Sequence, residues 1–205
     1  MIVIVDYGLG NLGSIKNMFQ HIGFDAVISS NQDQLLAATK LVLPGIGSFD
    51  QGMTNLYERS LIPTLNQRVL VDQVPILGIC LGMQLMGIKS EEGILPGLSW
   101  INQESKKFSF LDPKSFPVPH LGWEYVSDNG SQSSLLSGFN EETKFYFAHS
   151  YYVTCVNREE VLLEADYVHS FDAAIQKGNI LGVQFHPEKS HKYGMQLLTN
   201  FASKF

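Results

Sequence analysis

Charge is scarce in this 205-residue chain: Asp, Glu, Lys and Arg make up 17% of it, against roughly a quarter in an average soluble domain. A thin supply of charge suggests that a partner covers part of the surface. The sign is wrong for neutralising phosphates, since the net charge is −6, and this argues against a nucleic-acid partner. No uninterrupted apolar run approaches the ~18 residues of a membrane span. The opening Met1-Ile2-Val3-Ile4-Val5-Asp6 lacks the basic segment of a secretory signal. Two cysteines, Cys80 and Cys155, are too few for a disulfide framework; they read as one buried and one reactive thiol in a reducing compartment. These absences point to a cytoplasmic protein with no membrane partner. Repeats, linkers and low-complexity tracts are also missing, so residues 1–205 read as a single domain with 44% hydrophobic residues to fill one core.

What is present begins with alternating strand and helix patterns. Ile2-Val3-Ile4-Val5 suits a strand buried on both faces of a parallel sheet. Asn11 is placed to cap a helix carrying Ile15, Met18, Phe19 and Ile22, ended by Gly23. Strands are expected at 24–29, at 41–43 before Pro44-Gly45, and at 76–79. Helices are expected at 31–39, at 49–70 with an interruption at Pro63, and after residue 79 through Gln84. Such βα units predict an α/β fold: a largely parallel central sheet with helices on both faces. Residues 98–118, with Pro113, Pro117 and nearby Pro119, read as an irregular or hairpin excursion. Short strands are expected at 144–148, 151–156, 161–165, 173–176 and 180–185, with a tight turn at Lys177-Gly178-Asn179. A closing helix at 191–205 buries Met195, Leu198 and Phe201.

Gly78-Ile79-Cys80-Leu81-Gly82 stands where an apolar strand meets a helix. It has the form of a nucleophile elbow, in which flanking glycines admit a turn too sharp for side chains. A thiol there faces the positive end of the helix dipole, which favours thiolate. Near the other end of the chain, Gln184-Phe185-His186-Pro187-Glu188 reads as a strand stopped by proline. Residues two apart on extended chain share a side, so His186 and Glu188 can reach one site. The chemistry needs that pairing: imidazole takes the thiol proton, and the carboxylate fixes its tautomer. Cys80, His186 and Glu188 are therefore a candidate catalytic triad. The Leu81 N–H and the backbone of Pro44-Gly45-Ile46-Gly47 are candidates for an oxyanion hole.

Gly8-Leu9-Gly10-Asn11-Leu12-Gly13 formally matches a dinucleotide fingerprint, with Asp25 and Asp33 placed as ribose-binding acids. Asp6, just before the first glycine, would set a carboxylate against the pyrophosphate, and the milder reading is a glycine loop beside the sheet. Cys80, His120, His149, His186 and His191 show no zinc-site spacing. Neither a cofactor nor a metal is expected.

Taken together, these segments resemble the class I (triad) glutamine amidotransferases and, within them, the HisH subunits of imidazole glycerol phosphate synthase. The resemblance spans nearly the whole chain, including 4–12, 43–47, 78–84, Ser90-Glu91-Glu92-Gly93, Pro119-His120-Leu121-Gly122-Trp123, 145–151 and 184–190. It implies the three-layer sandwich of that class and a glutaminase in which Cys80 attacks the side-chain amide of glutamine. Gly47, Gln84, His149, Ser150 and Tyr151 would hold glutamine beside Ile46 and Leu81. Asn11, Trp123, Tyr146 and Lys189 would face a HisF-type cyclase subunit in a heterodimer that uses the ammonia to form imidazole glycerol phosphate and AICAR in histidine biosynthesis. The resemblance also suggests a glutaminase kept nearly silent without its partner because the resting 45–47 backbone aims no N–H at the oxyanion. Three departures touch peripheral regions: Glu124 where asparagine is common, Gly13 where a basic residue is frequent, and an unusual stretch over 99–117. Alternatives are a HisH-like subunit feeding a HisF-like partner in surface-sugar biosynthesis, and a non-catalytic subunit that only docks the partner.

Overall fold

The computed structural model describes residues 1–109 and 116–205. Its first strand, β1 (Ile2–Val5), is buried along its length. Ile2 and Ile4 face one core cluster, with Ile15, Phe19, Leu198 and Phe201, while Val3 and Val5 face another, with Leu35, Phe49, Leu56 and Leu61. That two-sided burial is why the strand reads as a continuous β-branched run. One layer of helices comprises α1 (Leu12–His21) and α6 (His191–Lys204). The opposite layer holds α2 (Gln32–Leu36), α3 (Phe49–Glu58), α4 (Leu61–Asn66) and α5 (Leu81–Leu85).

Between them, β1 pairs in parallel with β2 (Ala26–Ser29) and with β3 (Lys40–Gly45). Next come β4 (Ile76–Cys80) and β12 (Ile180–Val183), also parallel. From β12 the sheet continues antiparallel through β11 (Ser170–Lys177), β10 (Val161–Asp166), β7 (His120–Asp128) and β8 (Lys144–His149). Strand β9 (Tyr151–Cys155) joins β11 to β6 (Gln103–Lys107), which pairs with the short β5 (Lys89–Ser90). The central sheet is thus parallel where it carries the elbow and antiparallel beyond it. Gly178 and Asn179 form a two-residue turn between β11 and β12, where Lys177 pairs with Ile180, as expected.

Several local expectations are corrected. The helical stretch after Phe49 breaks at Ser60, which adopts φ 54°, and not at Pro63. Pro63 lies in the first turn of α4, where the N–H it lacks has no intrahelical partner. The stretch ends in a π turn in which the Asp72 N–H reaches the Gln67 carbonyl. Strand β3 runs on through Pro44 and Gly45; β1 pairs with it only as far as Val42, so no neighbour on that side asks Pro44 for an N–H. Asn11 occupies the cap position of α1 but makes no side-chain capping bond. In α6, Leu197 and Asn200 are buried while Met195 is only half-buried. Part of the expected irregular excursion is ordered as β6, and Pro113 lies outside the described residues. The nine-residue β7 has no counterpart among the expected strands. No helix among the described residues is long and apolar enough to cross a membrane.

Candidate active site

Cys80 ends β4 and adopts φ 52° and ψ −110°, a conformation an L-residue enters only under constraint. Gly45, at the end of β3, lies in register beside it. Beyond Gly45 the chain leaves the sheet through exposed Ile46 and through Gly47, at φ +110°. The Tyr7 hydroxyl donates to the Pro44 carbonyl at 2.6 Å, and burial pushes this phenol far above its ordinary pKa, so it stays a neutral donor.

His186 follows β12, the strand next to β4, so the sheet itself carries its imidazole to the sulfur. Its Nδ1 lies 2.9 Å from Glu188 Oε1, and both side chains are buried. Burial alone would lower the imidazole pKa, but hydrogen bonds to Cys80 and Glu188 outweigh it and raise the value to about 10. The ring is therefore held as a cation between sulfur and carboxylate. The other thiol, Cys155, is pushed up to about 12 by burial and by Asp172, which leaves it inert.

A cavity of about 170 Å³ opens over Cys80, lined by Ile46, Gly47, Leu81, Gln84, His149, Ser150 and Tyr151. All seven residues singled out for substrate or oxyanion contact thus meet at one cavity. Residues 3–205 match the family Glutamine amidotransferase class-I. The chain is 51% identical over 201 residues to imidazole glycerol phosphate synthase subunit HisH 2 of Methanococcus maripaludis, and 45% identical to the HisH 2 of Pseudomonas aeruginosa; each match covers 98% of both chains. The chain is a class-I glutamine amidotransferase of the HisH family. The fold agrees: a solved structure described as a glutamine amidotransferase aligns over 98% of this chain and 97% of its own length, with a TM-score of 0.74 at 17% identity.

Sequence reasoning left four residues of this amidotransferase site unassigned. Glu92, Pro119 and Ala148 line the same cavity. Glu92 Oε2 accepts the Phe49 N–H at 2.8 Å; burial raises its carboxyl pKa, partly offset by that bond. Gln184 is fully buried, and its Nε2 lies 3.6 Å from Cys80 Sγ. The signal for Gln184 was available, since it precedes His186 by two on extended chain. His149 donates from Nδ1 to the Tyr151 carbonyl at 2.9 Å, because a carbonyl can only accept; burial takes its pKa down to about 3, so the ring is neutral.

The four residues expected at a HisF-type subunit fall near one another. Trp123 and Tyr146 pair across β7 and β8 with ring centroids 6.1 Å apart. Lys189 Nζ lies 5.7 Å from the Tyr146 ring, and Trp123 stacks on His191. Asn11 precedes α1, which packs against the turn holding Lys189. In the glycine-rich loop after β1, Gly8 and Gly10 lie against neighbouring side chains. Arg59 Nη2 would lie 2.6 Å from a Cβ on Gly8, and the Pro44 ring would stand 3.3 Å from one on Gly10, so these two glycines accommodate the protein's own side chains.

Proposed function

We propose that the whole chain acts as one glutaminase domain that hydrolyses glutamine to glutamate and ammonia. Cys80 Sγ attacks the side-chain carbonyl carbon, and the developing oxyanion meets the Leu81 N–H and the 45–47 backbone. His186 gives its proton to the departing nitrogen, so that ammonia leaves and a glutamyl thioester remains. Water then attacks the thioester, His186 takes up its proton, and glutamate departs. Glu188 keeps the imidazole oriented and balances its charge. Gly47, Gln84, His149, Ser150 and Tyr151 seat the amino acid, and the Glu92 carboxylate meets its α-ammonium group. The observation that carries this reading is the buried imidazole of His186 bridging sulfur and carboxylate at the end of a cavity of amino-acid size.

The HisH relatives support delivery of the ammonia to a HisF-type cyclase in a cytoplasmic heterodimer, docked on the face of Asn11, Trp123, Tyr146 and Lys189. The cyclase would use it in histidine biosynthesis, forming imidazole glycerol phosphate and AICAR. A second acceptor, in surface-sugar biosynthesis through a HisF-like partner, is favoured by two observations. The relatives at 51% and 45% identity both bear the numbered name HisH 2, and Glu124 replaces the asparagine common in the family. Glutamate release, measured with and without the cyclase, tests the glutaminase. Cys80→Ala is expected to abolish it while ammonia-dependent synthesis by the partner persists; loss of both would indicate a docking subunit. Rescue of a hisH-deficient strain without histidine separates the acceptors: an active glutaminase that fails to rescue belongs to the second pathway.

A further inference from the structure

A chain of oriented hydrogen bonds runs from the cavity wall to the sulfur. The Tyr151 carbonyl can only accept, so the side-chain atom of Gln84 that meets it at 3.0 Å is Nε2, a donor. The same Nε2 donates to Gln184 Oε1 at 3.1 Å. With its oxygen so engaged, Gln184 turns its own Nε2 toward Cys80 Sγ at 3.6 Å, within a site where Gln184 is 0% exposed. A thiol sulfur is a weak acceptor and a thiolate a much better one, so a fixed amide donor favours the ionised form. The remaining groups around the sulfur are His186, backed by Glu188, and Tyr7; His149 acts on His186, and Glu92 lies farther along the cavity.

We propose that Gln184 is a catalytic residue, the hydrogen-bond donor that steadies the Cys80 sulfur, and that Gln84 is the positioning residue that aims it. The inference rests on Cys80 being the nucleophile. Gln84 borders the glutamine cavity with both contacts of Nε2 directed inward, which leaves only its Oε1 to accept from substrate. A donor on the bound amino acid would polarise the Gln84 amide and, through it, the Gln184 N–H at the sulfur. Seating of glutamine and readiness of the nucleophile are then linked by two side chains.

Alkylation of Cys80 by iodoacetamide, followed against pH in the full chain, reports the thiolate without requiring turnover. Gln184→Met keeps side-chain length and removes the donor. Its alkylation midpoint is expected about one pH unit above wild type, a roughly tenfold slower reaction at pH values below both midpoints with a similar plateau. Gln184→Glu, which adds a like charge, should move the midpoint further in the same direction. Unchanged midpoints in the folded variants overturn the proposal. The wild-type chain supplies a readout free of folding effects: the side-chain amide resonance of Gln184 should move with the alkylation midpoint and lose that movement in Cys80→Ala. A resonance that stays still overturns the proposal too. A wild-type Cys80 inert to iodoacetamide, in a chain that releases no glutamate beside its partner, instead sinks the nucleophile reading itself and the inference with it.

Discussion

Gly82→Ala would place a methyl carbon 1.7 Å from the Leu43 carbonyl oxygen and 2.8 Å from its carbon, where real contacts do not fall under 3.0 Å. Leu43 cannot give way easily, because β3 is held between β1 and β4, with Leu43 in register with Gly78. The separation of about 1.3 Å that the methyl demands must come from the start of α5. That segment carries Leu81 and follows directly on Cys80. Overpacking of this kind costs about 1–3 kcal/mol, and a backbone contact belongs at the upper end. At ~2–4 °C per kcal/mol for a chain of this size, Tm should fall by roughly 5–12 °C. Displacing a catalytic group by about 1 Å costs ~100-fold in rate, so partner-stimulated glutamate release should drop by that factor even in the folded fraction. Gly13→Ala is the control. Nothing lies within 4 Å of a Cβ there, and the residue sits in α1. It should be neutral or stabilise by up to about 1 kcal/mol. Thermal unfolding by circular dichroism and a glutamate assay read both variants. Wild-type Tm and activity in Gly82→Ala would refute the claim that this glycine is required by the approach of β3 to the elbow.

Glu188→Gln should lower kcat less than Cys80→Ala, by an order of magnitude or more, since orientation and charge balance are only part of the triad's effect; equal losses in a matched assay would contradict this. Glu92→Gln is expected to raise the KM for glutamine ~10–100-fold with kcat little changed, the loss of one charge-assisted bond. An unaltered KM would place the α-ammonium elsewhere. The pH dependence of stability follows from His186, whose folded pKa of about 10 lies above its ordinary 6.5. The stabilisation it contributes is complete below about pH 6.5 and is lost as pH rises through about 10. The Tm difference between wild type and Glu188→Gln should therefore be widest near pH 6 and close by pH 10; a gap that widens with pH would reverse the assigned sign.

Residues next to one another in the chain determined a good part of this protein. The β-branched run at 2–5, the elbow at 78–82 and the extended His186-Pro187-Glu188 state their geometry locally, because steric limits on φ and ψ and the two-residue period of a strand act over a few bonds. The clustering of Cys80, His186 and Glu188 was legible for that reason, and so was the parallel half of the sheet. Strand β7 was not. Its exposed positions hold Leu121, Trp123 and Tyr125, while His120, Gly122 and Glu124 turn inward. The usual alternation is inverted, as suits a face expected to meet a partner, and no pattern of apolar-inside residues announces it. The break at Ser60 was hidden as well, because a left-handed residue without glycine is set by the packing of α3 against α4. Gln184 and Glu92 gained their places only through contacts 104 and 43 residues away in the chain. A hydrogen bond between remote residues costs chain entropy that only the assembled sheet can offset. Local chemistry thus named the groups proposed to react, and the tertiary fold chose the donors and acceptors that surround them.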